Sequence, residues 1–257
     1  MKKSLFRPCI DLHNGKVKQI VGSTLKEDES GLTTNFISDQ SSGYFADRYK
    51  KDHLGGGHVI MLGSGNEEAA KEALGAFYNG LQIGGGINDQ NAEEYIAAGA
   101  SHVIVTSWLF NQNGEFLQSN LDLLLSQVGI DRLVIDLSCK QTNPGEWVIA
   151  MNRWQTLTNL SISKENLSYL SGYCSEFLVH AADFEGKCQG MDIELIQRLS
   201  DWVEIPVTYA GGVRDYSDLE RVQSLSEGSV DVAVGSSLDL FGGNGLTYDE
   251  CVQFNRR

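Results

Sequence analysis

The segment Gly84-Gly85-Gly86-Ile87-Asn88-Asp89 recurs in the second half of the chain as Ala210-Gly211-Gly212-Val213-Arg214-Asp215. Each copy follows a short apolar run and leads to a second one, which ends at Ser107 in the first copy and at Ser236 in the second. The glycines of the two copies are 126 positions apart and the serines 129, so a short insertion separates the copies. This spacing predicts a half-domain of strand, glycine loop, helix and strand that occurs twice.

Both copies have the composition of a phosphate-binding loop. Glycines allow the backbone to approach a ligand closely, and the free N–H groups at a helix N-terminus bind anions. Asp89 and Asp215 are suited to cap the helices that follow. A single copy would indicate little more than a tight turn, but the duplication favours two phosphate sites. We expect these sites to contain Gly85, Gly86 and Ser107 in the first half, and Gly211, Gly212, Gly235 and Ser236 in the second.

An aspartate ends an apolar run in each half of the chain. The runs are Pro8-Cys9-Ile10-Asp11 and Leu133-Val134-Ile135-Asp136, and the aspartates are 125 positions apart. Such a residue can simply end a strand and bond nearby loop amides. Because these two lie in matching positions beside the phosphate loops, we interpret them as a catalytic acid and base, whose environments must give them different pKa values. The pattern predicts an enzyme for a small substrate with two phosphate groups.

The order of apolar and helical segments predicts a (β/α)8 TIM barrel. The chain has 257 residues, a usual length for one such barrel. Its β-rich runs alternate with helical patterns, as in parallel βαβ units. We expect a single α/β domain over residues 1–257, built from two duplicated half-barrels. Predicted strands lie near residues 5–11, 57–62, 80–83, 102–106, 132–137, 176–180, 205–209 and 230–234, and predicted helices over 43–52, 66–77, 89–98, 114–127, 163–172, 191–200, 215–225 and 247–255.

Two connections, residues 12–42 and 138–162, are long for plain linkers and follow the two aspartate strands. Long loops in compact domains are usually functional, and barrel enzymes hold their active sites at the carboxyl ends of the strands. We therefore expect both connections to act as lids. Trp154 lies in the second one, where it either packs in the core or stacks on a flat heterocycle of the ligand.

Composition excludes several classes of protein. A net charge of −14 argues against a broad nucleic-acid surface, which requires clustered Lys and Arg. No apolar stretch is long enough for a membrane span, and the N-terminus lacks the apolar core of a signal peptide. The five cysteines and five histidines show no metal-ligand spacing. We expect a cytoplasmic protein with free thiols and no metal, and a monomer, because the repeat completes its own barrel.

Ordered motifs along the whole chain carry a family resemblance. They are Pro8-Cys9-Ile10-Asp11-Leu12-His13-Asn14-Gly15-Lys16, His58-Val59-Ile60-Met61-Leu62-Gly63, the first glycine loop, Val103-Ile104-Val105-Thr106-Ser107-Trp108, Val134-Ile135-Asp136-Leu137-Ser138-Cys139, Trp154-Gln155-Thr156, His180-Ala181-Ala182-Asp183-Phe184-Glu185-Gly186 and Gly235-Ser236-Ser237-Leu238-Asp239. On these motifs the chain resembles the histidine-biosynthesis isomerases that convert the aminoaldose ProFAR into the aminoketose PRFAR, and in particular their eukaryotic branch.

The resemblance implies a fold, a reaction and the roles of several residues. The family fold is a half-barrel-duplicated (β/α)8 barrel, and its substrate carries a phosphate at each end. The reaction is an Amadori rearrangement without metal or organic cofactor, with Asp136 as general acid and Asp11 as the base that removes the C2′ proton. Trp154 would cover the carboxamide-imidazole, and Gly186 would contact the substrate. Three residues depart from the bacterial pattern, which has an arginine, an acidic residue and a threonine in place of Asn88, Met61 and His180.

Other functions are compatible with the same pattern. The cyclase subunit of imidazole glycerol phosphate synthase also has two aspartates and two phosphate sites, but a lysine is expected there at the position of Gln19. A broader isomerase would also accept phosphoribosylanthranilate. A barrel that only binds phosphosugars would need neither the aspartates nor Trp154. His180 has a less specific interpretation as well, since a histidine at the end of an apolar strand is commonly a core residue.

Overall fold

A closed ring of eight parallel strands is the central feature of the computed structural model, which describes residues 2–21, 33–152 and 154–257. Within these residues the strands are β1 (Phe6–His13), β2 (Lys16–Ile20), β3 (Thr34–Ile37), β4 (Gly57–Met61), β5 (Leu81–Gly84), β6 (His102–Val105), β7 (Leu133–Asp136), β8 (Cys139–Asn143), β9 (Glu146–Met151), β10 (Thr156–Ser161), β11 (Glu176–His180), β12 (Val207–Ala210) and β13 (Val230–Val234).

The ring follows the order β1-β4-β5-β6-β7-β11-β12-β13 and closes where β13 pairs in parallel with β1. At the closure Phe6 lies opposite Val232 and Pro8 opposite Val234. In a ring of eight, β7 lies opposite β1, and β12 lies opposite β5. The predicted (β/α)8 barrel is confirmed, and the two halves of the chain lie across the barrel from each other.

Helices follow the eight barrel strands. They are α1 (Ser42–Lys51), α2 (Glu67–Ala76), α3 (Ala92–Ala97), α4 (Gln118–Val128), α5 (Lys164–Leu170), α6 (Ile193–Trp202), α7 (Tyr216–Ser226) and α8 (Tyr248–Arg256). Side-chain caps fix several of the starts: Asp192 and Asp215 accept from backbone N–H groups of α6 and α7, and Thr247 forms a capping box with Glu250 at α8. None of the described helices is long and apolar enough to cross a membrane.

Helices α3 and α4 begin three and four residues later than predicted, because asparagine side chains hold the preceding turns. Asn88 accepts a hydrogen bond from the Gln90 amide and Asn91 accepts one from the Asn88 amide, so α3 begins at Ala92. Asn111 accepts from the amides of residues 113 and 115 ahead of α4. The predicted cap at Asp89 is wrong: α3 has no side-chain cap, whereas Asp215 does cap α7.

Both long connections contain antiparallel strands that the sequence did not predict. After β1, the chain turns back on itself at once, and β2 pairs with β1 and β3. After β7, strands β8, β9 and β10 form a separate three-stranded sheet. Residues 22–32 of the first connection and Arg153 of the second lie outside the described residues. The two connections that we expected to act as lids therefore contain ordered hairpins.

The barrel interior has an apolar layer beneath the cleft and a polar group below it. Ile104, Val134 and Leu178 pack together inside the ring. Nearer the amino ends of the strands, Glu176 is buried and accepts hydrogen bonds of 2.8 Å from Gln82 and from Thr208. These bonds supply the partners that a buried carboxyl group requires. These layers fill the interior of the ring, and the cleft lies above them, at the carboxyl ends of the strands.

Candidate active site

A cleft of about 720 Å³ opens at the carboxyl ends of the barrel strands. The structure brings together every residue that the sequence predicted for the site. They are Asp11, Gly85, Gly86, Ser107, Asp136, Trp154, Gly186, Gly211, Gly212, Gly235 and Ser236. Because they come from strands all around the ring, only closure of the barrel places them in one cavity. Within the described ranges, no three His, Cys, Asp or Glu side chains form a group suited to a metal ion.

Asp11 lies on β1 and receives a hydrogen bond of 2.9 Å from Nε2 of Gln19. Burial, and after it the nearby carboxylate of Glu185, raise the pKa of Asp11 to about 7. His180 and the Gln19 hydrogen bond act in the opposite direction and limit the rise. A carboxyl group with a pKa near neutrality can both take up and release a proton under physiological conditions.

Asp136 ends β7 on the opposite side of the ring from Asp11. Its Oδ1 accepts hydrogen bonds of 2.8 Å from both the amide and the hydroxyl of Ser138, and lies 3.5 Å from Nδ1 of His180. Burial alone would raise the pKa of Asp136, but His180, Ser138 and Thr106 hold it below its ordinary value. Asp136 is therefore an ionised carboxylate at neutral pH, and the two aspartates have the unequal pKa values that acid-base chemistry requires.

His180 ends β11 and lines the cleft beside Asp136. Burial by itself would lower the pKa of His180, but Asp136 chiefly, with Glu185 and Asp11, raises it to about 9. The sequence could not assign a role to His180, because the strands that supply its carboxylate neighbours are far apart in the chain. Nothing in the sequence distinguishes Glu185 from the rest of its motif, yet it raises the pKa values of both Asp11 and His180.

The two glycine loops lie opposite each other, since one follows β5 and the other follows β12. Gly85 has φ +92°, and a Cβ placed on it would lie 2.1 Å from the carbonyl oxygen of Met61. Gly212 has φ +79°, and its Cβ would lie 2.0 Å from the carbonyl oxygen of Gly190. Neither position can accept a side chain without movement of the backbone. Each loop thus presents bare backbone to the cleft.

Each of the two predicted phosphate sites contains a serine that is hydrogen-bonded by a group from one of the long connections. Ser107 Oγ accepts a hydrogen bond of 3.1 Å from the amide of Asn152, which follows β9. On the other side Asn35, on β3, donates from Nδ2 to Ser236 Oγ at 3.1 Å and to the carbonyl oxygen of Gly186 at 3.2 Å. Sequence reasoning missed Asn35, because no local pattern in that connection distinguishes it from a surface asparagine.

Trp154 lies over the cleft, in the turn between β9 and β10. Its ring centroid is 6.2 Å from that of His180, at an interplanar angle of 44°. The backbone of Trp154 has φ +62°, and that of Asn152 has φ +53°, a region that non-glycine residues seldom occupy. The half-buried indole therefore faces the acid-base residues instead of the barrel core, as required if it stacks on a ligand.

Comparison with known proteins places the chain in a family. The model of the family described as "Histidine biosynthesis protein" matches residues 6–243. The chain belongs to this family. A curated relative from Neurospora crassa is 56% identical over 254 residues, which cover 98% of each chain. A relative from Saccharomyces cerevisiae is 47% identical over 257 residues, again 98% of each. One from Medicago truncatula is 50% identical over 258 residues, 98% of this chain and 82% of its own.

The family members from Neurospora and Saccharomyces are named 1-(5-phosphoribosyl)-5-((5-phosphoribosylamino)methylideneamino)imidazole-4-carboxamide isomerase. The Medicago member has the same name with the addition "chloroplastic". The named compound is ProFAR, the aminoaldose of the resemblance described above. The family expected from the motifs is confirmed.

Proposed function

We propose that this protein is the histidine-biosynthesis isomerase that converts the aminoaldose ProFAR into the aminoketose PRFAR. The proposal rests on one observation: two aspartates and two glycine loops alternate around the cleft. In ring order, Asp11, the first glycine loop, Asp136 and the second glycine loop follow one another at quarter turns. A ligand with a phosphate at each end would span the two loops, and its middle would lie between the two carboxylates.

The two loops supply groups suited to phosphate. Gly85, Gly86 and Ser107 would bind one phosphate, and Gly211, Gly212, Gly235 and Ser236 the other. Ser237 Oγ supports the second site, since it lies at the cleft, is buried and has no hydrogen-bond partner among the described residues. A buried hydroxyl without a partner is unfavourable, and a phosphate oxygen would satisfy it. Fixing both ends of the substrate holds the ribose in one orientation, which contributes to the rate.

The acid-base residues suit an Amadori rearrangement. The lone pair of the amino nitrogen expels the ribose ring oxygen, which takes up a proton from the Asp136 side of the cleft, and a protonated Schiff base results. Asp11 then removes the C2′ proton, for which a base with a pKa near 7 is well matched. The enolamine tautomerises to the ketose. Trp154 and Gly186 would contact the substrate above the reacting carbons, with the indole stacked on the carboxamide-imidazole.

The alternatives are less well supported. The cyclase would require a cation where Gln19 donates a neutral hydrogen bond to Asp11. A barrel that only binds phosphosugars would not need a base whose pKa is raised to about 7. Acceptance of phosphoribosylanthranilate as a second substrate is decided by a parallel assay with that compound.

The experiment is conversion of ProFAR followed by absorbance, with wild-type protein and with Asp11→Asn and Asp136→Asn. Each substitution keeps the shape of the side chain and removes its charge, so we expect turnover to fall at least about 100-fold while substrate still binds. Asp201→Asn, on the exposed face of α6, is the matched control and retains activity. Wild-type protein that binds ProFAR without converting it would contradict the proposal.

We also propose that the protein is a cytosolic monomer. Among the described residues, the eight-stranded ring is closed by the pairing of its own β1 and β13, so the ring itself offers no open edge to a second copy. The five cysteines are free thiols, which suits a reducing compartment. Sedimentation at micromolar concentration and the distribution of a fluorescent fusion test the two statements. A stable dimer, or accumulation in an organelle as the name of the Medicago relative states for that protein, would contradict them.

A further inference from the structure

The serines of the two predicted phosphate sites accept the same kind of hydrogen bond. The amide of Asn152 donates to Oγ of Ser107, and Nδ2 of Asn35 donates to Oγ of Ser236, each at 3.1 Å. In both halves the donor comes from the connection that follows the neighbouring strand of the ring, β7 beside β6 and β1 beside β13. The donor is backbone in the first half, but in the second half it is a side chain that a substitution can remove.

A hydrogen bond of this kind determines how each serine can bind a ligand. A serine hydroxyl has one proton to donate and two lone pairs, and an N–H group that donates to Oγ occupies one of the lone pairs. Among the described residues, the proton of Ser107 has no acceptor, and that of Ser236 has only Oε1 of Gln19 at 3.4 Å. Because O–H···O bonds are usually about 2.7–2.8 Å long, the second contact is weak. Both protons are therefore left for an acceptor in the cleft, which both serines line.

The surroundings of Asn35 fix which end of its amide faces the serine. Strand β3 is held by its pairing with β2, and the ring of Phe36 lies edge-on to that of Phe241, with 6.0 Å between centroids. Nδ2 of Asn35 also donates to the carbonyl oxygen of Gly186 at 3.2 Å. A carbonyl oxygen can only accept, so Nδ2 must lie on this side of the amide. Ser236 consequently meets a donor and not the amide oxygen.

We propose that Asn35 is a positioning residue of the second phosphate site, whose amide donates to Oγ of Ser236 and thereby directs the serine proton to a phosphate oxygen of the substrate. This inference rests on the isomerase function proposed above, because the substrate of that reaction carries the phosphate. Phosphate oxygens accept hydrogen bonds, so a serine held as a donor is matched to them. Asn35 acts on the ligand through Ser236.

Loss of the Asn35 amide should weaken substrate binding and leave the chemical step intact. In Asn35→Ala the hydroxyl of Ser236 is free to turn away from the phosphate, and we expect KM for ProFAR to rise about two- to tenfold with little change in kcat. Ser236→Ala removes the donor itself and should raise KM about 10- to 100-fold, as for a hydrogen bond to a charged group. Asn35→Gln keeps an amide donor on a longer side chain and should recover part of the loss.

A double-mutant cycle separates this role from a structural one. If Asn35 acts through the serine hydroxyl, Asn35→Ala should cause no further rise in KM in a Ser236→Ala background. If Asn35 instead supports the loop at Gly186, the same rise appears in both backgrounds, and the proposal is overturned. Asn113→Ala, in an exposed turn outside the cleft, is the matched control and should leave KM unchanged.

Binding of inorganic phosphate, followed by phosphorus NMR, makes the test independent of the reaction. Wild-type protein that does not convert ProFAR overturns the proposed function, and titration with phosphate then still decides the role of Asn35. Weaker phosphate binding in Asn35→Ala than in wild type, with no such difference between Ser236→Ala and the double variant, supports the proposal. Equal binding in Asn35→Ala and wild type, or no binding by the wild type, overturns it.

Discussion

Gln19 donates a hydrogen bond of 2.9 Å from Nε2 to Oδ2 of Asp11, and its Oε1 accepts one of 3.4 Å from the hydroxyl of Ser236. One buried side chain thus links Asp11, the proposed base, to the second proposed phosphate site. Because the amide donates to the carboxylate, it favours the ionised form of Asp11 and limits the rise in its pKa. The neutrality of Gln19 matters, since a cation in its place would lower the pKa of Asp11 much further.

Replacement of Gln19 by leucine should make Asp11 a stronger base that works only at higher pH. Asp11 must be ionised to accept the C2′ proton, so wild-type kcat/KM falls as pH falls through about 7. Without the donated hydrogen bond the pKa of Asp11 rises, and this acidic limb moves to higher pH. The pH dependence of kcat/KM measures the shift. Gln197→Leu, on the exposed face of α6, is the control and should leave the limb in place. An unmoved limb in Gln19→Leu would show that the limb does not report the ionisation of Asp11.

Glu185→Gln should move the acidic limb of kcat/KM to lower pH. The carboxylate of Glu185 raises the pKa of Asp11. Its neutralisation lowers that pKa, so Asp11 is ionised at lower pH and the limb near pH 7 shifts downward. An unmoved limb would show that Glu185 does not act on Asp11. Glu146→Gln, on an exposed position of β9, is the control.

Gly85→Ala should destabilise the protein more than Gly86→Ala, although both glycines have positive φ. A methyl group on Gly86 would meet nothing within 4 Å, so that variant bears only the backbone strain of about 1–2 kcal/mol. On Gly85 it would lie 2.1 Å from the carbonyl oxygen of Met61, which adds an overpacking cost of about 1–3 kcal/mol. Urea denaturation gives both free energies of unfolding, and equal values would contradict the close backbone approach at Gly85.

Asn35→Asp should weaken substrate binding through charge. Asn35 Nδ2 lies 3.1 Å from Ser236 Oγ, so an aspartate would place a negative charge beside the proposed second phosphate. We expect KM for ProFAR to rise about tenfold, equivalent to about 1.4 kcal/mol, with a smaller effect on kcat. The rise should diminish at high salt, because ions screen an exposed pair. Asn113→Asp, in an exposed turn, provides the comparison, and an equal KM in both variants would argue against a phosphate at Ser236.

The eight barrel strands were predictable because each is a short apolar run buried on both faces, and such runs stand out between helical patterns. The observed strand ends lie within two residues of the predicted ones. For example, β12 begins at Val207 instead of residue 205, since Pro206 has no N–H to join the ladder. The duplication also located the cleft residues, because residues in matching positions of the two halves must come to matching positions of one ring.

The antiparallel hairpins were missed although two turn signals were present. Asn14 and Gly15 join β1 to β2 with φ values of +51° and +71°, as an Asn-Gly hairpin turn requires. Pro144 and Gly145 separate β8 from β9. Because both connections are long, the sequence favours loops there in spite of these turn signals.

The different pKa values of the charged residues could not be predicted from the sequence. The pKa values of Asp11, Asp136 and His180 depend on which carboxylates face them across the barrel, and those distances arise only when the ring closes. The resemblance assigned the acid role to Asp136. In the fold His180 lies 3.5 Å from that carboxylate, a contact that the pattern of the chain could not predict.

The two glycine loops resemble each other, so the cleft must distinguish the two orientations in which a ligand with two phosphates could bind. The loops share a design, but their surroundings differ: Ser107 is bonded by a backbone amide, whereas Ser236 is bonded by the side chains of Asn35 and Gln19. Orientation must therefore come from the places where the halves differ, such as the glutamine beside one aspartate and the imidazolium beside the other. A ligand bound in reverse would bring its reacting carbons to the wrong carboxylate, so these differences between the halves decide which bound molecules can react.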